Sequence, residues 1–485
     1  MGQWCSVKAN RKLNPGPESY WACKFLATPA VPPHTMFATF LNSKWCMVLL
    51  ALAIRLAVVG VLYPEQMPPG RNHFLFGFEN GRIASSIVQG HGFRSPLFED
   101  TGPTAWEPPV YPYLIAGVFM IFGTYSKTSA LVLLSLQALM SALTCLPVYF
   151  AARKTFGDRV ALFSGWGWAL FPLAIYWPAE RIWPTWLATL LLALLFLITL
   201  HLERPVALVA WIGYGLLWGF AALTDPVVLN VLPVMFGWIG VRRYQRKERW
   251  LVPLTVASLT IIVSVSPWFV RNYEVFHRFI PFRDSIGLEM LIGNNGDTSY
   301  WAGCSVGSAL AEKIGPWHND AEWQKFKQIG EIAYMEESKE RALTFIRANP
   351  RFFAVVTLRR IVFIWTHFWS FSSYYLAQEP DDPVNIVFST LFTLLTMIGL
   401  GRTFRVNRPV AILYGLVFLF FPVVFYFTHV ETYFRRQIDP MMLVLAVYGV
   451  VDFTRLKERP LPHAQVLAMD DHLPLSERRH RRLTG

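Results

Sequence analysis

The chain has 485 residues, of which 54% are hydrophobic, 15% aromatic and only 16% charged, whereas ordinary soluble domains carry about 25% charged residues. This composition argues against a soluble globular protein and predicts a polytopic membrane protein. The formal net charge of +12 could suggest a nucleic-acid partner, but the basic residues sit in short clusters between apolar runs. Because cytoplasmic loops of membrane proteins carry such clusters, we interpret the charge as topology and expect no nucleic-acid partner.

The two ends of the chain differ from the apolar body between them. Residues 1–44 carry scattered Lys, Arg and Pro without the compact charged-then-apolar pattern of a cleaved signal peptide, and residues 454–485 are basic and contain Pro. We predict that both are cytoplasmic tails. The five cysteines show no CxxC or Cys/His metal spacing, so the sequence predicts neither a disulfide framework nor a zinc site.

An N-terminal transmembrane module is predicted over residues 45–270. Its first span covers residues 45–63 and carries Arg55 in the middle, where a charge is costly unless it faces protein or a polar cavity. That arginine either meets a phosphate or carboxylate or joins two helices structurally. The further predicted spans, joined by basic turns inside, are residues 128–150, 158–177, 183–201, 207–223, 226–241 and 251–269.

Residues 64–127 form the first exported loop on this topology. They mix carboxylates, glycines, paired prolines and aromatics. Residues 109–123 are apolar but short for a span of about 20 residues, and a span there would place the basic Arg153 and Lys154 outside. We therefore predict that this segment is a helix lying in the outer interface.

A second exported region is predicted over residues 271–383. One amphipathic surface helix is predicted over residues 319–348 by apolar positions at helical spacing among Lys and Glu, namely Trp323, Phe326, Ile329, Ile332 and Ala333. Arg359 and Arg360 interrupt the apolar stretch 352–375, and consistency of the positive-inside rule favours the outer interface for it.

The C-terminal transmembrane region is predicted over residues 384–453, with spans at 384–401, 409–427 and 440–453. The predicted fold class is therefore an all-α polytopic membrane protein with ten spans, or twelve if both doubtful segments cross. Surface helices in the first exported loop and a small exported loop domain complete it.

Carboxylates and arginines from distant parts of the chain converge on the predicted outer face. They are Glu79, Glu99, Asp100, Glu107, Glu180, Asp225, Arg271, Glu431, Arg435 and Arg436. Moving a sugar from a lipid phosphate to a hydroxyl requires such groups, because a carboxylate orients and deprotonates the acceptor while cations hold the departing phosphate. Arginine suits the second task because its fork binds two phosphate oxygens. No unit of strand, Gly-rich loop and helix is present to bind a nucleotide, which agrees with a lipid-linked donor.

A series of motifs in fixed order resembles the bacterial glycosyltransferases of the GT-C class, which include relatives of protein O-mannosyltransferases and of the lipid A aminoarabinose transferase. The motifs are FENGRIASSIVQGHGF with Glu79, the PP-x-YP segment Pro108–Pro112, the R-x-x-FG turn Arg153–Gly157, SPWFVRNY from Ser266 with the following IGNN, ANP at Ala348–Pro350, and YFRRQIDP from Tyr433. Each motif is weak alone, but their order is specific for the superfamily and covers residues 40–455.

The resemblance implies roles for five residues. Glu79 corresponds to the acidic residue of the first exported loop, the catalytic base or a metal ligand, although the class more usually has Asp there. Glu180 is the candidate for a second acidic residue, and Arg435 and Arg436, with Arg271, are candidates for binding the donor phosphate. Each has a structural alternative: Glu79 a favoured helix start, Glu180 a pair with Arg181, and the arginines anchors at the membrane interface.

The function predicted on this basis is an integral membrane glycosyltransferase of the bacterial inner membrane. It transfers a sugar from a polyprenyl-phosphate donor to an acceptor hydroxyl at the periplasmic face, with inversion of the anomeric centre. The acceptor and the need for a divalent cation are left open. The rival from another class is a transporter or flippase of a lipid-linked substrate, which predicts polar groups near the bilayer midplane and paired repeats; a catalytically inactive scaffold is a third interpretation.

Overall fold

A computed structural model describes residues 42–66, 76–298, 314–317, 319–369, 371, 376, 382–431 and 433–451. The chain divides after Cys46 into a short N-terminal unit, of which residues 42–46 are described, and the unit Met47–Gly485. The described residues form helices joined by turns, with one isolated β-bridge between Arg94 and Pro103. The predicted all-α architecture is confirmed, whereas the predicted tails and Cys304 lie outside the described residues.

The described residues up to Phe276 form eleven α-helices. They are α1 Lys44–Gln66, α2 Glu79–Val88, α3 Val110–Phe122, α4 Lys127–Leu143, α5 Cys145–Phe156, α6 Asp158–Ala169, α7 Pro172–Glu180, α8 Thr185–Leu202, α9 Leu208–Ala222, α10 Leu232–Gln245 and α11 Leu251–Phe276.

The second half of the described chain adds the remaining helices. They are α12 Ile286–Gly293, α13 Asp320–Ile329, α14 Glu331–Ala348, α15 Pro350–Thr366, α16 Asp382–Val406, α17 Arg408–Phe420, α18 Val423–Phe427 and α19 Asp439–Val451.

Seven stretches of the described residues are long and apolar enough to cross a membrane. They are Lys44–Tyr63, Lys127–Phe156, Asp158–Glu180, Thr185–Leu202, Leu251–Phe276, Pro383–Val406 and Arg408–Phe427. Two shorter apolar helices, α3 and α9, accompany them. The chain is an integral membrane protein.

Two predicted spans have other boundaries in the structure. The segment predicted at 226–241 begins with a 3-10 helix, Pro226–Val231, and only then continues as α10, because Asp225 caps the amide of Val227 and Pro233 restarts the helix. The span predicted to end at residue 269 continues to Phe276, so that the RNYEVF sequence belongs to the helix and the chain turns away only at His277, with φ 52.

The single surface helix predicted over residues 319–348 is two helices. Gly330 adopts φ +80, a left-handed conformation that ends α13, and α14 starts afresh at Glu331. The apolar stripe therefore restarts: Trp323 and Phe326 are buried as predicted, but Tyr334 and Met335 are buried in place of Ile332 and Ala333.

Arg55 joins helices structurally. Its Nε donates to the Ser141 hydroxyl at 2.9 Å, Nη1 donates to the carbonyls of Ala51 and Ala169, and Nη2 donates to the carbonyl of Trp168. These four hydrogen bonds satisfy a fully buried guanidinium among α1, α4 and α6. Of the two alternatives the sequence left open, the described contacts fit the helix-joining one.

The short helix α12 lies between α14 and the residues around Thr428. A Cβ atom at Gly287 would lie 2.0 Å from the Met335 carbonyl oxygen of α14, and one at Gly293 would lie 1.9 Å from the Thr428 carbonyl oxygen. Only glycine permits both approaches. Arg360 of α15, fully buried, donates to the Asn294 side chain and to the Gly293 carbonyl, which ties the end of α12 in place.

Candidate active site

Glu79 begins α2 after a turn that few residues could form. Gly77 has φ 80 and Phe78 has φ 38, and a Cβ atom at Gly77 would lie 2.8 Å from the Ile182 carbonyl oxygen. The turn buries the Glu79 carboxyl to 7% exposure, where Oε1 accepts a hydrogen bond from the indole Nε1 of Trp317 at 3.0 Å. Burial, and next the charge of Glu107, raise the pKa of Glu79 to about 8.

Three more carboxylates lie near a partly buried arginine, Arg283, which also interacts with Glu79. Nη2 of Arg283 lies 3.1 Å from Oε1 of Glu289 and 4.0 Å from Oε1 of Glu107. Asp225 and Glu79 act on the same guanidinium electrostatically, and together these carboxylates raise the pKa of Arg283 although its burial lowers it. Burial raises the pKa of Glu107 to about 7; Arg283 opposes that shift and Glu289 adds to it. We call Glu79, Glu107, Asp225, Glu289 and Arg283 the carboxylate cluster.

The C-terminal segment after Thr428 contacts this cluster at two points. The Gln437 amide nitrogen donates to Oδ2 of Asp225, while its Oε1 is buried without a hydrogen-bond partner. On the other side, Nδ1 of His429 lies 3.3 Å from Oε2 of Glu289. Two residues of this segment, His429 and Gln437, therefore contact carboxylates from two earlier parts of the chain.

A cleft of about 280 Å³ opens beside the cluster and is rich in aromatic and cationic side chains. It is lined by Trp177, Arg181, Trp183, Thr185, Trp186, Tyr433 and Arg436. The guanidinium of Arg436 lies over the Trp177 ring at 5.4 Å, and its Nη1 is 3.6 Å from Oδ2 of Asp439. Its Nε makes no hydrogen bond to the described residues, and burial lowers its pKa to about 10.

Tyr433 lines the cleft. Its phenol is also subject to the charges of Arg181 and of two carboxylates of the cluster, Glu289 and Glu79. Its ring centroid is 5.6 Å from the Arg181 guanidinium and 5.9 Å from the Trp177 ring. The predicted base therefore acts electrostatically on a side chain that lines the cleft containing Arg436.

Glu180 and Arg181 form an ion pair at the end of α7. Nη2 of Arg181 donates to Oε1 of Glu180 at 2.9 Å, and the guanidinium also lies over the Trp177 ring at 5.2 Å. Glu180 acts electrostatically on Arg436 as well. The structure therefore brings Glu180 to the cleft together with Arg436.

Arg435 and Arg271 are bound by protein groups. Arg435 donates to Oδ1 of Asp439 at 3.1 Å, to the carbonyls of Ile364 and Trp365, and to the Thr393 hydroxyl. Arg271 donates to the carbonyls of Thr104 and Phe93 at 2.7 and 2.8 Å, and to the Asn272 side chain. Neither lines the cleft, and Arg271 belongs to the joint between α11 and the first exported loop.

Sequence reasoning did not assign roles to Arg283, Glu289 and Trp317. Glu289 stands alone in the apolar sequence IGLEMLIG, and Arg283 closes FIPFR just before it. A lone carboxylate in a short apolar helix of an exported region was a usable signal, because burial of an unpaired charge is costly. Trp317 carried no such signal, since aromatic residues are common throughout this chain.

A metal site is not formed by the carboxylates as they stand. Within the described part of the chain, no three His, Cys, Asp or Glu side chains lie in positions to hold one metal ion together. Two carboxylates of the cluster, Glu289 and Glu107, instead pair with the guanidinium of Arg283.

Residues 106–270, about a third of the chain, match the model of the family described as dolichyl-phosphate-mannose-protein mannosyltransferase. The chain resembles the GT-C membrane glycosyltransferases. The resemblance predicted from the motif order is thereby confirmed, and the matched segment contains Glu107, Glu180 and Asp225. No curated protein matches the chain.

Solved structures of GT-C glycosyltransferases overlap with the chain loosely. The oligosaccharyltransferase AglB from Archaeoglobus fulgidus, in complex with an inhibitory peptide and a dolichol-phosphate, is 13% identical with a TM-score of 0.49, over 87% of this chain and 53% of that one. ArnT from Cupriavidus metallidurans, bound to undecaprenyl phosphate, is 14% identical with a TM-score of 0.35, over 84% of this chain and 78% of that one. The chain spans about half the length of the oligosaccharyltransferase.

Proposed function

We propose that this protein transfers a sugar from a polyprenyl-phosphate donor to an acceptor hydroxyl at the extracytoplasmic face of the membrane. The match to a mannosyltransferase family supports the reaction class. The observation that carries the proposal is the position of Tyr433, which touches a cleft with two arginines on one side and is subject to the charge of Glu79 on the other. A base and a phosphate-binding group are both required by this chemistry, and here they are adjacent.

Glu79 is the proposed general base. Its carboxyl is buried, which raises its pKa to about 8 and brings it into the range where a base is both available and effective at neutral pH. In this proposal the acceptor hydroxyl donates its hydrogen bond to the carboxylate, at the place where the Trp317 indole donates in the structure.

Arg436 and Arg181 are the proposed ligands of the donor phosphate. Both line the cleft, and the Trp177 ring beneath both guanidinium groups fixes their planes. Glu180 holds Arg181 through their 2.9 Å contact, so we assign it a positioning role. Arg435, bonded to Asp439 and to backbone carbonyls, supports the turn that presents Arg436.

Arg271 receives a positioning role in this proposal. Its bonds to the carbonyls of Phe93 and Thr104 hold the loop between α2 and α3, which carries Glu107 into the cluster. The proposed phosphate ligands therefore come from the loop after α7 and from the last exported segment.

The proposed reaction inverts the anomeric centre. The acceptor oxygen forms the new bond to the anomeric carbon while the bond to the phosphate oxygen breaks on the opposite face. The hydroxyl proton goes to Glu79, and the phosphate leaves as an anion held by Arg436 and Arg181. Because a lipid phosphate leaves readily once its charge is met, the proposal assigns it no acid.

The decisive experiment supplies the purified protein with labelled polyprenyl-phosphate hexoses and a panel of protein, lipid and polysaccharide acceptors. Glu79→Gln removes the base and is expected to lower kcat at least a hundredfold with little change in KM. Arg436→Gln removes a charge-assisted contact and is expected to raise the donor KM about tenfold or more. Glu340→Gln, an exposed position of α14, is the matched control and should leave both constants unchanged.

Two results would contradict the proposal. Transfer at the wild-type rate by Glu79→Gln would show that Glu79 is not the general base. Movement of the labelled lipid across the membrane without sugar transfer to any acceptor in the panel would favour the flippase interpretation, for which the described carboxylates and arginines would serve as a binding site only.

A further inference from the structure

Four cations gather at the end of the helix bundle away from the carboxylate cluster. Lys154 comes from the end of α5, Arg204 from the turn after α8, and Arg242 and Arg246 from the end of α10. Nε of Arg242 and Nη2 of Arg246 each lie 3.3 Å from Oε2 of the same carboxylate, Glu203. We call these four residues the basic cluster.

The basic cluster has more charge than its protein neighbours neutralise. Glu203 is shared by two arginines, and Lys154 makes no ion pair with any described residue although it lies in the fields of Arg204, Arg246 and Glu203. The neighbouring Arg243 is different: it is buried, bonds to the carbonyls of Leu202 and Arg204, and pairs with Glu248. That bonding fixes the turn that presents Arg204. Within the described part of the chain, the ion pairs of the basic cluster all go to one carboxylate, Glu203, which leaves an excess of three positive charges.

The position of the basic cluster relative to the cleft follows from one helix. Thr185, at the start of α8, lines the cleft, whereas Glu203 directly follows its last residue, Leu202. Eighteen residues of α-helix are about 27 Å long, close to the thickness of the hydrocarbon core of a bilayer. The basic cluster therefore lies at the level of lipid headgroups on the membrane side opposite the cleft.

We infer that the basic cluster is a binding site for the phosphate group of an anionic membrane lipid. A phosphate at this level meets the ammonium of Lys154 and the forks of Arg204 and Arg246 together and supplies the missing negative charge. The site is separate from the proposed donor site, and its occupation does not depend on sugar transfer.

The test compares the purified protein in detergent micelles supplemented with phosphatidylglycerol, with phosphatidylcholine, or with inorganic phosphate. Bound lipid is counted by native mass spectrometry, and the thermal unfolding midpoint is recorded. Wild type is expected to retain phosphatidylglycerol and to be stabilised by it, while the double variant Lys154→Gln with Arg204→Gln binds it at least tenfold more weakly.

Arg153→Gln is the matched control, because Arg153 adjoins Lys154 but is already paired with Asp158 at 2.7 Å. It should bind phosphatidylglycerol as wild type does. Lys154→Arg, with the native Arg204 in place, should also bind it, because the positive charge is kept. Equal retention of phosphatidylglycerol by wild type and by the double variant would show that the basic cluster does not bind the lipid. Stabilisation by inorganic phosphate to the same extent as by lipid would overturn the assignment to a membrane lipid.

Discussion

A hydrogen bond between Trp317 and Glu79 joins the second exported region to the proposed base. The indole Nε1 donates to the carboxylate at 3.0 Å, and the indole ring packs edge-on against Trp106 at 5.8 Å. A hydrogen bond to the charged form of an acid lowers its pKa, so Trp317 acts against the burial that raises the pKa of Glu79. The indole thus orients this carboxylate and opposes the effects of burial, Glu107 and Glu289 on its pKa.

Replacing Trp317 by Phe is expected to shift the acid limb of the pH profile of kcat/KM. With the donor removed, the pKa of Glu79 rises further above 8, so the rate reaches its half-maximum at a pH about one unit higher than in wild type. The profile moves to higher pH because a carboxylate base is active when ionised, and a higher pKa requires a higher pH for ionisation.

The control for this shift is Trp323→Phe in the same exported region. Trp323 is buried against Phe98 and Phe326 and makes no contact with Glu79, so this variant reports the effect of general loosening. A midpoint that moves equally in both variants, or that does not move in Trp317→Phe, would show that Glu79 is not the group that titrates.

The sequence could identify Glu79, Glu180 and Arg436 as candidates because each belongs to a polar motif at the edge of an apolar run. It could not identify the groups that surround them. Glu289 and Trp317 reach the site only because α12 and the segment before α13 pack onto the first exported loop, and such contacts between distant segments leave no local pattern. For the same reason the bonds of Arg435 and Arg271 to backbone carbonyls could not be predicted.

At the level of elements, the start of α14 is tied to the first exported loop by Glu331. Its two carboxyl oxygens accept hydrogen bonds from the Thr104 hydroxyl at 2.6 Å and from the Ala105 amide at 2.7 Å. The Asp284 amide donates to the Ala105 carbonyl on the same loop at 3.1 Å. Glu107, two residues beyond Ala105, thereby takes its position in the carboxylate cluster from a contact with a helix more than two hundred residues later.

Glu331→Ala is expected to loosen this joint. The buried Ala105 amide loses its acceptor, which costs about 1–3 kcal/mol, and the loop around Thr104 should exchange its amide hydrogens faster and be cut more readily by protease. Hydrogen exchange followed by mass spectrometry measures the change. Unaltered exchange at residues 104–107 in the alanine variant would mean that the loop is held by other contacts.

The pH dependence of the same joint separates it from a general packing effect. Burial, and then the neighbouring Asp284, raise the pKa of Glu331 well above 4.5. A carboxyl group whose folded pKa is raised stabilises the fold fully below its unfolded value near 4.5, and that contribution is lost as the pH rises through the folded pKa. Protection of the loop, measured as the ratio of the intrinsic to the observed exchange rate at each pH, should therefore fall towards alkaline pH in wild type. Glu331→Gln, which keeps an acceptor but cannot ionise, should flatten this dependence.

The elements whose boundaries the sequence predicted most closely are the long apolar ones. Thr185–Leu202, for example, is predicted at 183–201, because an apolar run there begins and ends at polar residues. The errors fall where backbone conformation decides. Gly330 splits a helix that the apolar spacing favoured as continuous, and Pro226 and Pro233 divide the segment predicted as one span. Because hydropathy is averaged over many residues, it locates the apolar segments better than the breaks between the helices within them.

For the molecule as a whole, the two ends of α8 define opposite chemical surfaces. The cleft at Thr185 and the carboxylate cluster beside it belong to the exported side in our proposal, and the basic cluster after Leu202 belongs to the cytoplasmic side. The positive-inside rule assigns the sides in this order, because the Lys and Arg residues of short loops set the orientation. A donor made as a lipid phosphate would then meet Glu79 outside the cell, where the acceptor must also be.

Cysteine labelling tests this orientation directly. In a chain whose five native cysteines are replaced by alanine, His91→Cys introduces an exposed thiol in the loop after α2, and Gln245→Cys introduces one at the end of α10. A membrane-impermeant maleimide should label the first in intact cells and the second only after the membrane is permeabilised. Labelling of both thiols from one side would show that α8 does not cross the membrane. The reverse pattern would put Glu79 in the cytoplasm, where the proposed acceptors of the cell envelope are absent.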